Sequence, residues 1–264
     1  MFKRIILWSE FPEETDWKKA VRLIDFKVEV YIAVRSKRQF QEYTKKIRSK
    51  NIILGAWPAL SKEEGYWFSG LTSKESIDEL RQYKGMRIKI DLEPPIPKFK
   101  HNNLKTLLWG LGIFFKNAKN TEYLKETIYW LAKNNTKILI NEAPMPKFYL
   151  NKLGITLEKR KNMTLQLMMY TTLAGQTLRP LCKNYNKIML KRIVKQNPDM
   201  SASVGLIGPG ILEKEGCYTS PEQFRQDLEM LKSAGISNVA VYSLDAILKR
   251  DNPKEWIDVL KDFT

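Results

Sequence analysis

Hydrophobic residues recur along this chain in two rhythms. Short runs rich in β-branched and aliphatic residues appear as RIILW (4–8), VEVYIAV (28–34), NIILGAW (51–57), MRIKIDLE (86–93), TKILINE (136–142), TLQLMMYT (164–171), SASVGLIG (201–208) and NVAVYSL (238–244). Their length and alternation predict strands. Between them lie segments with helical spacing: DWKKAVRLIDF, KRQFQEYTKKIRS, SKESIDELRQY, the apolar LKTLLWGLGIFF followed by TEYLKETIYWLAKN, QTLRPLCKNYNKIMLKRIVKQ and SPEQFRQDLEMLKSAG, with NPKEWIDVLKDF closing the chain. Only MPKFYLNKLG separates the fifth and sixth runs, which predicts a short helix there. The helix before the eighth run is fully punctuated, with Ser220 as N-cap, Pro221 in the first turn, Gln223 at the capping-box position and Gly235 at the end.

Strands that alternate with helices make a parallel sheet, because parallel neighbours need crossover connections. Eight such units are the number that closes a (β/α)8 TIM barrel. An open doubly wound sheet would carry a glycine-rich first turn, and WSEFPEE is not one. With no compositional linker, residues 1–264 read as a single barrel domain.

Side chains alternate along a strand, so aliphatic parity marks the helix-facing side and the other parity marks the interior. In the fourth run Ile88, Ile90 and Leu92 face the helices, and Lys89, Asp91 and Glu93 face inward, with Glu93 at the mouth before Pro94 and Pro95 stop the strand. The same test turns Gln166, Met168 and Tyr170 inward in the sixth run, and Tyr31, Ala33 and Arg35 in the second. It brings Glu10 to the mouth after the first run, Trp57 after the third and Tyr242 in the eighth, with Asp245 just beyond. Asn141 and Glu142 end the fifth run, and parity does not decide which of them faces in.

Composition narrows the chemistry. His101 is the only histidine and Cys182 and Cys217 the only cysteines, which excludes a His-rich zinc site, a spaced metal set and a disulfide framework. No cofactor or metal is implied, and His101 reads as a solvated loop residue. The N-terminal apolar run is four residues long and meets Ser9 and Glu10, too short for a secretory signal, so a cytoplasmic location is expected. No run approaches the roughly 20 apolar residues of a membrane span, so no membrane partner is expected. The net charge of +16 attracts polyanions, but the lysines are scattered apart from short clusters such as KKIRSK, which suits a solvated basic surface.

What remains is a rim of carboxylates among aromatics, and that suits a sugar. Glycosidases place an acid to protonate the leaving oxygen and a second group to assist attack at the anomeric carbon, and aromatic faces stack on sugar rings. Glu93, Asp91, Tyr170, Glu142 and Glu10 are the candidate catalytic residues. Trp57, Arg35, Asn141, Gln166, Met168, Tyr242 and Asp245 are the candidate binding residues. Asp91 beside Glu93 is expected to favour a protonated acid through like-charge repulsion. The interior Lys89 needs a partner, for which Asp91 or Glu29 is available.

IDLEPP followed by LQLMMYTT resembles the glycoside hydrolase family 18 (chitinase-like) pattern, an acidic run closing on Asp-x-Glu in the fourth strand and a Met-x-Tyr in the sixth. The resemblance implies a (β/α)8 barrel in which Glu93 is the general acid, Asp91 orients a substrate acetamide, Tyr170 assists it and Met168 lines the sugar subsite. The chain carries Lys89 and Met86 where that family's acidic run continues, and Tyr242 where an eighth-strand tryptophan is usual. Glu10 and Glu142 are then candidates for a second carboxylate in a two-acid mechanism.

Two other readings stay open. The glycine-rich SVGLIGPGI after the seventh run suits a phosphate-handling lyase or isomerase barrel, with Lys89 or Lys137 as an imine-forming lysine. Pro209, between Gly208 and Gly210, removes one backbone donor from that loop. A non-catalytic module for an anionic glycan or nucleic acid would use the positive charge, although no nucleic-acid motif is present.

Overall fold

The computed structural model describes residues 1–96, 112–113, 115–211 and 215–264. Eight strands, β1 (Arg4–Ser9), β2 (Val28–Val34), β3 (Ile52–Pro58), β4 (Arg87–Leu92), β5 (Lys137–Glu142), β6 (Met163–Met168), β7 (Ser201–Val204) and β8 (Asn238–Tyr242), follow one another around a closed barrel. The assigned strand pairs run parallel. Among the described residues the helices include α1 (Trp17–Leu23), α2 (Lys37–Lys46), α3 (Lys74–Asp78), α4 (Thr121–Lys133), α5 (Lys147–Lys152), α6 (Gly175–Gln196), α7 (Pro221–Ser233), α8 (Leu244–Leu248) and α9 (Pro253–Lys261). This is the (β/α)8 architecture that the eight alternating runs predict. His101 and most of the apolar segment 104–115 lie outside the described residues.

The chain falls into two compact units: Met1–Ala33, Glu42–Gly55 and Gln166–Thr264 form the first, and Val34–Gln41 with Ala56–Leu165 form the second. In the first, β1 lies between β2 and β8, with Leu7 level with Val30 on one side and Val241 on the other. Ile6, Leu7, Val30, Ile32, Val239 and Val241 are fully enclosed. Each such side chain contributes about 1.5–3 kcal/mol on burial. The ring of Tyr31 lies so close to Gly55 that a Cβ there would stand 2.5 Å from it, so β3 has no side chain at that point. The capping read from the sequence before α7 is present: Ser220 Oγ accepts from the Gln223 N–H at 3.3 Å, and Gly235 takes φ +91° where the chain leaves the helix.

In the second unit β4 and β5 pair over their whole length, from Arg87 level with Lys137 to Leu92 level with Glu142. Ile88, Ile90, Leu92, Ile138 and Ile140 are buried, and α4 buries Leu124, Ile128 and Leu131.

The sixth, seventh and eighth runs end at least two residues sooner than their hydrophobicity suggests, at Met168, Val204 and Tyr242, and β2 ends with its run at Val34, so Arg35, Tyr170 and Gly205–Gly208 belong to the loops. Past a strand's last hydrogen bond its alternation no longer directs side chains. Arg35, expected to face inward, is instead exposed. The short helix α8 is not among the segments whose spacing predicts a helix. Its five residues are too few to show a helical period, and only the Ser243 cap, which accepts from the Ala246 N–H, marks its start.

Candidate functional site

In the second unit the site is built around β4. Lys89 is fully enclosed, and its Nζ stands 2.6 Å from the Asp91 carboxylate, itself buried. The same ammonium lies 3.4 Å from the centre of the Trp57 ring. A buried cation needs both kinds of compensation, a counter-charge and an aromatic face. Trp57 is only 2% exposed and gives a face to Lys89, so it serves as a wall of the lysine pocket and not as a platform at the mouth.

Cross-strand pairing resolves the choice that parity left open. Asp91 is level with Asn141 and Leu92 with Glu142. Residues directly opposite share a face of the sheet, so Asn141 shares the face of Asp91, and Glu142 shares that of Leu92. Glu142 therefore does not stand beside Asp91 as a second rim carboxylate. Burial pushes its pKa up to about 7.

Glu93 follows β4 by one residue and is half-buried. A loop holds its backbone. Phe68 bridges in parallel to Leu92; its N–H donates to Asp91 O at 3.0 Å, and its carbonyl accepts from the Glu93 N–H at 3.2 Å. Farther along, the Ile96 N–H donates to Gly65 O at 2.9 Å. Gly65 has φ +102°, and a Cβ on it would meet Pro95 at 2.6 Å, so both its conformation and its closeness to the proline call for glycine. The segment EPPI is thus laid along GYWF, a contact between two loops that no periodicity announces. Arg35 lines a small cavity of about 120 Å3 with Pro58, Ser61 and Glu64.

In the first unit Asp245 and Glu10 accept hydrogen bonds from neutral donors. Asp245, on α8, is 3% exposed and accepts from Ser9 Oγ (2.6 Å), Thr15 Oγ1 (2.6 Å), Glu10 N (2.6 Å) and Phe11 N (3.1 Å). Burial raises its pKa, and these hydrogen bonds oppose the rise. Its oxygens are engaged in fastening the turn after β1, so it acts on the site by positioning that turn. Glu10, 5% exposed, accepts a short hydrogen bond from the Tyr242 hydroxyl. Burial, and then the Glu10 charge, hold the Tyr242 phenol well above its usual pKa, so it remains a donor. The Tyr242 ring meets Trp8 edge-on at 5.7 Å and Tyr170 at 6.2 Å. A Cβ on Gly210 would collide with the Tyr242 hydroxyl, so this glycine of the loop after β7 makes room for the tyrosine.

Of the two sixth-run candidates on β6, Gln166 is enclosed and accepts from Ser201 Oγ at 3.2 Å, and Met168, the last residue of β6, is half-buried. Tyr170 caps the 3-10 turn Thr171–Ala174. Among the described residues no group of three or more His, Cys, Asp or Glu is placed to hold a metal ion.

Sequence reasoning did not find the Phe68 bridge or a buried network at α6 and α7. In that network Asp227 accepts from Thr171 in a short hydrogen bond and from Tyr218 Oη at 2.7 Å, and Arg179 lies 3.2 Å away. The only signal for it was an acid and a base on helix positions that the amphipathic pattern assigns to the core.

The sequence matches no family model and no curated protein. Among solved structures, the chain is similar to the PgaB (BpsB) glycoside hydrolase domain from Bordetella bronchiseptica. The TM-score is 0.62 and the identity 12%, and the match covers 98% of this chain and 99% of that one. At that identity the likeness is one of fold: this chain and that glycoside hydrolase domain share a barrel.

Proposed function

We propose that the chain is a glycoside hydrolase-like barrel that acts on or binds a carbohydrate, with Glu93 as its general acid. The observation that carries the reading is the treatment of the two acids at the end of β4. Asp91 is neutralised by Lys89, whereas Glu93, two residues on, is half-buried on a backbone clamped by the Phe68 loop. Barrel enzymes gather catalytic groups at the C-terminal ends of strands, and a clamped backbone is what a proton donor needs in order to meet a glycosidic oxygen repeatedly. Lys89 also cancels at its source the like-charge field expected from Asp91. The fold shared with a glycoside hydrolase domain agrees with this chemistry. The decisive variant is Glu93→Gln, assayed on a panel of oligosaccharides including N-acetylglucosamine oligomers. Turnover falls by about 10²–10⁴-fold while the thermal midpoint stays in place. Undiminished turnover removes Glu93 from the mechanism. Unfolding of the variant makes the residue structural.

One observation favours the phosphate-handling reading. A cavity of about 750 Å3 lies where barrels often bind phosphate, lined by Gly208 and Pro209 after β7, Ser243 and Ala246 of α8, and Lys249 and Arg250. Its charges argue the other way. Asp245 and Glu14 also line it, Lys249 is paired with Glu14 at 2.5 Å, and Arg250 donates to the carbonyls of Ile207 and Tyr218. Inorganic phosphate leaving the thermal midpoint unmoved at millimolar concentration would exclude this second reading.

A further inference from the structure

We propose that the outer face of α6 docks on an anionic lipid membrane. The inner face of this 22-residue helix is already in use, because Arg179, Asn186 and Leu190 are buried. Arg179 donates to Thr171 Oγ1 at 3.1 Å and to Gln223 O at 2.6 Å, and pairs with Asp227. The opposite face carries Leu178, Leu181, Tyr185 and Ile188, between 56% and 68% exposed. Their spacing of three, four and three residues places them on one stripe of the helix. Leu173, just ahead of the helix, is exposed to the same degree. A soluble helix ordinarily turns such a stripe to the core; α6 turns this one to solvent.

The charge on the helix says what covers it. α6 contains Arg179, Lys183, Lys187, Lys191, Arg192 and Lys195 and no aspartate or glutamate, and Lys191, Arg192 and Lys195 are exposed where the stripe ends. A second copy of the chain docked on this face would bring two such cationic helices together, and the chain's net charge of +16 would add to the repulsion. An anionic bilayer satisfies both features at once: the leucines, tyrosine and isoleucine enter the boundary between headgroups and acyl chains, and the lysines and arginine meet the phosphates. Docking in this way needs no spanning segment. Among the described residues no helix is long and apolar enough to cross a membrane, and that bears on spanning alone. The inference does not rest on the carbohydrate reading.

The full chain is tested by co-sedimentation with vesicles of phosphatidylglycerol and phosphatidylcholine, and with vesicles of phosphatidylcholine alone. The chain partitions onto the first far more than the second, and raising salt weakens the partitioning. The Leu181→Asp/Ile188→Asp double variant, with an unchanged circular dichroism spectrum, partitions at least about tenfold less, and Lys191→Glu/Arg192→Glu lowers it by about tenfold or more. Absence of partitioning onto the anionic vesicles overturns the proposal, as does equal partitioning by the apolar variant. A concentration-dependent dimer of the wild-type chain that the apolar variant abolishes also overturns it, and assigns the stripe to a second copy.

Discussion

Asp91 in the second unit and Asp245 in the first are buried carboxylates held by opposite means. In the second, Asp91 faces a full positive charge, Lys89, which itself leans on the ring of Trp57. In the first, Asp245 is held by two hydroxyls and two backbone N–H groups of one turn. An ion pair concentrates the compensation in one partner, whose loss leaves a bare buried charge. A fan of neutral donors spreads it, so that one loss is partial while the carboxylate organises a whole loop. The first arrangement suits a rigid floor beneath a strand end, and the second suits a loop that must be closed down in one conformation.

The comparison can be broken most forcefully at Lys89. Lys89→Met strands Asp91 and lowers stability by about 3–5 kcal/mol, read by urea unfolding. Adding Asp91→Leu recovers most of that loss, and a neutral single variant would mean that the pair holds nothing. At Asp245 the loss is smaller. Asp245→Ala releases the turn after β1 at a cost of about 2–3 kcal/mol, with amide exchange rising at Glu10 and Phe11; unchanged exchange there would contradict the clamp.

Glu142 sharpens the contrast, since burial is what shifts its carboxyl. Its pKa is raised from an ordinary carboxyl value to about 7 by burial. A carboxyl raised on folding stabilises the fold fully below its unfolded pKa, and that contribution is lost as pH rises through about 7. Glu142→Gln therefore gains on the order of 2 kcal/mol over wild type at pH 8 and nothing at pH 4. A difference that does not vary with pH would contradict this burial. The smallest effect belongs to Tyr242→Phe, which removes the hydroxyl donor to Glu10 at a cost of about 1 kcal/mol and keeps the ring packing against Trp8 and Tyr170.

Much of the fold was legible because strand periodicity and helix capping are local. Ile88, Ile90 and Leu92 announce a strand from six residues of context, and Ser220 with Gln223 announces a helix start from four. The inward parity of Lys89 and Asp91 was equally readable, and so was the need of a buried lysine for a partner. Arg35 shows where such reading stops. It depended on β2 continuing one residue farther, and hydrogen bonding across the sheet, not the residue's own neighbours, decides where a strand ends. Trp57 shows a second limit. Parity turned it inward, but the depth at which it meets Lys89 is a property of the packed strands.

The sequence by itself determined that eight alternating units form a barrel with acids at the end of the fourth strand, because side-chain alternation and turn chemistry act over a few residues. Only the tertiary structure decided that Asn141 and not Glu142 shares the face of Asp91, that Phe68 clamps the backbone of Glu93, and that Asp245 fastens a turn some 230 residues away. Register between strands and contact between loops are set by groups far apart in the chain, and no local pattern encodes a distance between them.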